Sequence, residues 1–194
     1  MQDIKHIIHT LQTNTPTLLP ETPFCAAVMV ILLVDDAQQI HIVITKRAAN
    51  LPTYAGQYCF PGGFRDSPDE ELFATAVRET MEELTIAADH YQYLGQLNDL
   101  HDHYGNLVRP FVVLMKQQQF LESHQQSQDE IDEVYYFPFN KLANIKDDPC
   151  IHHITTRRPA YSYTDGKVFV FGLTAAILVN LYKVVDEGVR PEWH

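Results

Sequence analysis

The sequence predicts an α/β domain built on a mixed β-sheet with helices on both faces. Two observations predict it. Apolar strand-like runs alternate irregularly with helix-like runs along the chain. The hydrophobic content, 45% of 194 residues, is enough for a real core in one domain of ordinary size. Residues 1–25 read as an N-terminal helix with an extended connector, and residues 26–194 as the main domain.

Ile4, Ile7, Ile8 and Leu11 have helical spacing, which predicts a short amphipathic helix over residues 2–12. Pro16, Pro20 and Pro23 then favour extended backbone. "AAVMVILLV" (26–34) is a buried strand, "DDAQQ" a turn and "IHIVITKR" (40–47) the return strand of a hairpin. Residues 48–57 are a loop, and "YCF" is a short strand entering the "FPGG" corner. A helix is expected from about Asp69 to Leu84, just after Pro68. "YQYLGQLND" and "LVRPFVVLMK" read as strands, the Gln-rich stretch after them as an exposed loop, and "VYYFPF" as a strand. Asn140 to Ile145 forms a short helix, "KVFVFG" the last strand and Leu173 to Asp186 the last helix.

The formal net charge is -11. Such a surface repels nucleic acid and anionic membranes, and it needs a cation or a cluster of basic residues to hold an anion. Cys25, Cys59 and Cys150 have no metal-binding spacing and read as free thiols of a reducing compartment. The longest apolar stretch, residues 168–179, is too short to span a bilayer. The first residues lack the apolar core of a signal peptide. A cytoplasmic protein is expected.

The helix after "FPGG" crowds Glu79, Glu82 and Glu83 together. Phe73, Val77, Thr80, Met81 and Leu84 fall on one face, expected to be buried, with the three acids opposite and Arg78 between. Like charges at this spacing cost an isolated helix about 0.2–0.5 kcal/mol per pair, and no Lys or Arg four residues on relieves them. Three carboxylates beside a backbone carbonyl of the Gly62–Gly63 corner are hard oxygen ligands suited to Mg²⁺ or Mn²⁺. The ion offsets the repulsion and lets an acidic protein hold a diphosphate.

This stretch resembles the Nudix box, G-x5-E-x7-R-E-U-x-E-E-x-G-U, where U is aliphatic. Gly63, Glu70, Arg78, Glu79, Glu82, Glu83 and Ile86 match. Six residues rather than five separate Gly63 from Glu70, Thr80 replaces the first aliphatic, and Thr85 replaces the second glycine. The resemblance implies the Nudix α/β/α sandwich, metal-assisted hydrolysis of a nucleoside diphosphate derivative, and metal ligation by Glu79, Glu82 and Glu83 with the Gly63 carbonyl. It also implies Glu79 or Glu83 as general base and a Glu70–Arg78 pair bracing the turn. A homodimer is a family-based expectation.

Further motifs resemble the coenzyme A pyrophosphatase branch. "VITKRAANLPTYAGQYCFPGG" keeps Thr45, Arg47, Ala48, Gly56, Phe60, Pro61, Gly62 and Gly63 in register with its upstream motif, but Pro52 stands where that motif has a second arginine. "VRPFV", "DEIDEVYYFPF" and "FGLTAAIL" resemble downstream motifs. The branch implies cleavage of coenzyme A to phosphopantetheine and adenosine 3′,5′-bisphosphate. Arg47, Arg157 or Arg158 would then read the 3′-phosphate, while Pro52 leaves ADP-ribose or NADH as the alternative. A catalytically silent nucleotide-binding module is a further alternative. Gly56 and Tyr54 lie in the loop near the expected substrate site, Tyr54 as a candidate for base stacking. Glu130 matches a position that in related enzymes adds a metal ligand or base. The pair His101 and His103 offers substrate contact or proton transfer.

Overall fold

The computed structural model describes residues 3–67, 69–147 and 161–187. Its sheet is organised by β1 (Cys25–Val34), whose apolar run is buried on both faces. β1 turns through Asp35–Gln39 into β2 (Ile40–Arg47), the expected hairpin, with Leu32 opposite Ile42. Nearer its start, the same edge of β1 pairs instead with β4 (Gly62–Phe64), with Ala27 opposite Gly63. The two partners diverge between these points, and Met29 N–H donates to the Pro61 carbonyl there. Short β3 (Tyr58–Cys59) pairs with β2 and leads into this corner.

The other edge of β1 pairs in parallel with β7 (Leu107–Lys116), from Cys25 opposite Leu107 to Val34 opposite Lys116. β5 (Gln92–Gln96) and β6 (Leu100–His101) join β7 antiparallel, and β8 (Ile131–Pro138) joins β2. The sheet is therefore mixed, as the alternating pattern predicts.

Alternate residues of β1 feed two cores. Val30 and Leu32 pack with Ile7 and Leu11 of α1 (Ile4–Thr13) and with Leu178 and Leu181 of α4 (Gly172–Glu187). Ala27, Met29, Ile31 and Leu33 pack with Leu72, Ala76 and Leu84 of α2 (Leu72–Leu84) and with Phe120 of α3 (Gln117–Ser123). Helices thus cover both faces. A small second sheet orders β11 (Val168–Phe171), β10 (Tyr161–Asp165) and β9 (Lys146–Asp147).

Two expectations need correction. α2 begins at Leu72 rather than near Asp69, because the Asp69 carboxylate is held by the preceding turn, where it accepts from Asp66 N–H at 3.0 Å. The Gln-rich stretch is not simply an exposed loop, because α3 buries Phe120 against the sheet. β10, whose polar "YSYTD" has no apolar run to mark a strand, is sustained by pairing on both edges.

Candidate functional site

The site starts from the two glycines. A Cβ on Gly62, at φ +150°, would strike the Ala27 carbonyl and the Val28 Cα; one on Gly63 would strike the Glu79 carboxylate. Their absence lets β4 lie against β1 while α2 drops a carboxylate onto the corner.

The orientation of α2 differs from that given by counting apolar residues. Met81 is 46% exposed, whereas Glu83 is only 2% exposed. The small residues Thr75, Ala76 and Thr80 are buried along the line facing the sheet. Their size permits close approach, which turns Met81 outward and Glu83 toward the glycine corner.

Burial pushes the Glu83 carboxyl up to about 8, with the neighbouring Glu79 and Glu130 charges adding to the rise. Arg47 and the Gly62 N–H, which donates to this carboxylate, pull the other way. Glu83 Oε2 is buried with no hydrogen-bond partner. The Glu79 carboxyl is also raised, chiefly by burial and against the pull of Arg78. Glu82 is half-exposed.

Arg78 grips the acids from the side. Its Nη1 donates to Glu79 Oε1 at 2.9 Å and to Glu82 Oε2 at 3.0 Å, and its Nη2 donates to the Phe64 carbonyl at 3.0 Å. The expected brace from Glu70 is corrected. Arg78 pairs with Asp69, Nη2 to Oδ2 at 3.1 Å, and Asp69 also accepts from Thr75 Oγ1 at 2.9 Å. Glu70 instead contributes its backbone carbonyl to Arg65. Spacing could have revealed this, since Asp69 is the acid that follows Gly63 after five residues.

The stretch after α3 delivers Glu130. Ser127 N–H donates to the Glu83 carbonyl at 2.8 Å and Gln125 N–H to the Leu84 carbonyl at 3.0 Å, satisfying carbonyls of the last turn of α2. Ala48 N–H then donates to the Glu130 carbonyl at 2.8 Å, so Arg47, Glu79, Glu83 and Glu130 influence one another electrostatically. Thr85, in place of the box glycine, sits at φ 59° and donates from Oγ1 to the Gln125 carbonyl at 3.0 Å.

Gly56, at φ 69°, donates its N–H to the Arg47 carbonyl at 3.0 Å, which folds the 48–57 loop back onto the end of β2. In that loop Tyr54 is exposed and meets Tyr104 edge-on at 6.3 Å; Tyr104 lies 5.2 Å from His103. The Cys59 thiol, pushed up to about 11 chiefly by burial, is no nucleophile at neutral pH. Arg157 and Arg158 lie outside the described residues.

Among the described residues, no three acidic, His or Cys side chains are already gathered as ion ligands; Arg78 contacts two of the acids. The donor set nevertheless fits a hard cation. Glu83 offers an unpartnered buried oxygen, Gly63 leaves the Glu79 carboxylate unobstructed, and all the donors are oxygen. Such an arrangement can bind a divalent ion and can accept a proton near neutral pH.

The chain matches the NUDIX domain over residues 23–157. A Photorhabdus laumondii protein described as "Uncharacterized Nudix hydrolase NudL" is 32% identical over 150 residues, covering 75% of this chain and 77% of its own. A protein of the same description from Salmonella newport is 30% identical over 193 residues, covering 97% of this chain and 96% of its own. A solved MutT/nudix family protein from Enterococcus faecalis shares the fold, with a TM-score of 0.54 at 17% identity over 96% of this chain and 70% of its own. Among the described residues, no helix is long and apolar enough to cross a membrane.

Proposed function

The chain belongs to the Nudix family of hydrolases, which act on nucleoside diphosphate derivatives and generally use divalent metal ions, and from that premise we propose that it hydrolyses the diphosphate of coenzyme A or its thioesters with Mg²⁺ or Mn²⁺. The products are phosphopantetheine, or its acyl form, and adenosine 3′,5′-bisphosphate. The observation that carries the hydrolase reading is the buried, unpartnered Glu83 Oε2 beside Glu79 at the glycine corner. A site that only held an anion would gain nothing from such an acid.

Glu79, Glu82, Glu83 and the Gly63 carbonyl would hold the ion. When bound, it neutralises charge on the diphosphate oxygens and makes a water more acidic. Arg78 keeps Glu79 and Glu82 side by side. Glu83 or Glu79, both raised toward neutrality by burial, accepts the proton of the attacking water. Glu130 adds negative charge at the rim and supports either role. Arg47 faces the same acids and offers its cation to the substrate phosphates. Tyr54 offers a face to the base, and Gly56 gives the loop its course. The acidic surface fits an enzyme that binds neither nucleic acid nor anionic membrane, and the thiols fit a cytoplasmic setting.

Coenzyme A is favoured by the upstream motif, in register from Thr45 to Gly63 apart from Pro52. Pro52 favours a second reading, ADP-ribose or NADH, because proline offers no donor to a phosphate. A panel of coenzyme A, dephospho-coenzyme A, ADP-ribose and NADH, each with Mg²⁺ and Mn²⁺ and products identified by mass, tests both. Coenzyme A should show the highest kcat/KM. A clearly higher value for ADP-ribose or NADH overturns the substrate, and no turnover of any of them argues against hydrolysis of this class. Loss of the preference for coenzyme A over its dephospho form on replacing Arg157 and Arg158 with alanine would assign the 3′-phosphate to that pair.

A further inference from the structure

The connector between α1 and β1 brings an acid, Glu21, to two arginines at once. Glu21 Oε1 accepts from Arg109 Nη1 at 2.8 Å, and Glu21 Oε2 accepts from Arg65 Nη1 at 2.9 Å. Arg109, on β7, is nearly buried; its Nε and Nη2 donate to the two oxygens of Asp99 at 2.9 and 2.8 Å. The Asp99 side chain is fully buried and accepts from Leu19 N–H at 2.8 Å. Asp99 and Arg109 therefore form a fixed post to which the connector is tied, and that tie does not need Glu21 Oε2.

The second oxygen serves the box. Arg65, held at its amino end by Arg65 N–H to the Cys25 carbonyl at 2.9 Å, donates Nε to the Asp69 carbonyl at 3.1 Å and Nη2 to the Glu70 carbonyl. Those carbonyls belong to the residue that holds Arg78 and its neighbour. One chain of charge-assisted contacts thus runs Asp99–Arg109–Glu21–Arg65–Asp69–Arg78 and ends on Glu79 and Glu82. Charge-assisted bonds with both partners fixed are the strong and directional ones.

We propose that Glu21 is a positioning residue for the active site, holding Arg65 so that Asp69 and Arg78 align the metal-binding glutamates. The consequence for turnover rests on the hydrolase reading above; the alignment itself does not. Arg65 is about one-third exposed and grips carbonyls at a turn, so without Glu21 its guanidinium turns to water and the Asp69 turn relaxes. Glu79 and Glu82 would hold the ion that meets the diphosphate, so their misalignment should lower kcat/KM.

The test compares Glu21→Ala and the milder Glu21→Gln with Leu11→Ala, a core truncation that loosens the same N-terminal region without touching the chain of contacts. Two readouts are taken at matched folded fraction: the NMR signal of the Arg78 Nε–H group, and kcat and KM with Mg²⁺ and the best diphosphate substrate of the panel. Both Glu21 variants should move or broaden the Arg78 signal, and Glu21→Ala should lower kcat/KM about five-fold. Leu11→Ala should lower the melting temperature and leave the Arg78 signal in place. An Arg78 signal unmoved in both Glu21 variants, or a kcat/KM loss matched by Leu11→Ala, overturns the proposal. If wild type turns over no diphosphate, the hydrolase reading falls and the Arg78 signal still decides the alignment.

Discussion

Replacing Glu83 with glutamine should remove most turnover and also erase a pH dependence of stability that wild type shows when divalent ions are chelated. The folded-state carboxyl titrates at about 8, against 4.5 for the ordinary side chain. A carboxyl raised on folding binds more protons in the native state than in the unfolded chain between those values, so native stability is greatest at the acid end and falls as pH rises through the window. At about 1.4 kcal/mol per pH unit the ceiling is about 5 kcal/mol. The carboxylate lies at a corner beside Arg47 and the Gly62 N–H, so water entry and relaxation should leave about 1–3 kcal/mol of it. For a chain of this size that is a fall of about 3–10 °C in Tm. The assay is thermal unfolding in EDTA from pH 5 to 8.5 for wild type and Glu83→Gln, which stays neutral throughout. Wild-type Tm should drop across the window while the variant's curve stays flatter, and the two should differ most at the alkaline end. Saturating Mg²⁺ should stabilise wild type increasingly as pH rises, because ligation needs the deprotonated acid. Parallel Tm curves in EDTA, or near-wild-type kcat in the variant, would refute the placement of a strained acid at the corner.

Gly63→Ala drives a Cβ into the Glu79 carboxylate; we expect a loss of at least about ten-fold in kcat/KM and about 1–3 kcal/mol of stability, read by kinetics and denaturant unfolding. Asp69→Asn should cost about 1.5–3 kcal/mol by weakening the charge-assisted bonds to Arg78, whereas Glu70→Gln should stay within about 0.5 kcal/mol; the reverse order in urea unfolding would restore Glu70 as the brace. Thr85→Gly relieves a β-branched residue at φ 59° but gives up the bond to Gln125, so the net should be a gain of about 0.5–1 kcal/mol, and a lower Tm would show that the Gln125 contact outweighs the backbone strain.

The parts of this molecule legible in the sequence are those where local pattern and tertiary environment agree. The hairpin of β1 and β2 is a pair of continuous apolar runs about a polar turn, and the glutamate cluster after two glycines announces its chemistry by residue type. The burial of Glu83 was not legible, because a charged residue in a helix reads as exposed and only the closeness of Thr75, Ala76 and Thr80 to the sheet turns it inward. α3 was hidden by a polar composition in which Phe120 carries nearly all the burial. The exchange of Glu70 for Asp69 turned on a single residue of spacing. Glu21, Arg65 and Asp99 were silent because an ion pair between distant segments leaves no periodic signal.

The parallel ladder between β1 and β7 also constrains how the protein is made. Parallel partners cannot be joined by a tight turn, and everything from the hairpin through α2 to β6 lies in the loop that this ladder closes. Closure of so long a loop costs entropy before the contacts that repay it exist, so the central ladder should form slowly. During synthesis β1 emerges long before β7, leaving an apolar strand with one edge unpaired. The glutamate helix packs on that same strand, so a segment carrying the box alone, cut before Leu107, would lack the support that orients its acids. Chains truncated ahead of β7 should therefore aggregate rather than yield a smaller active enzyme.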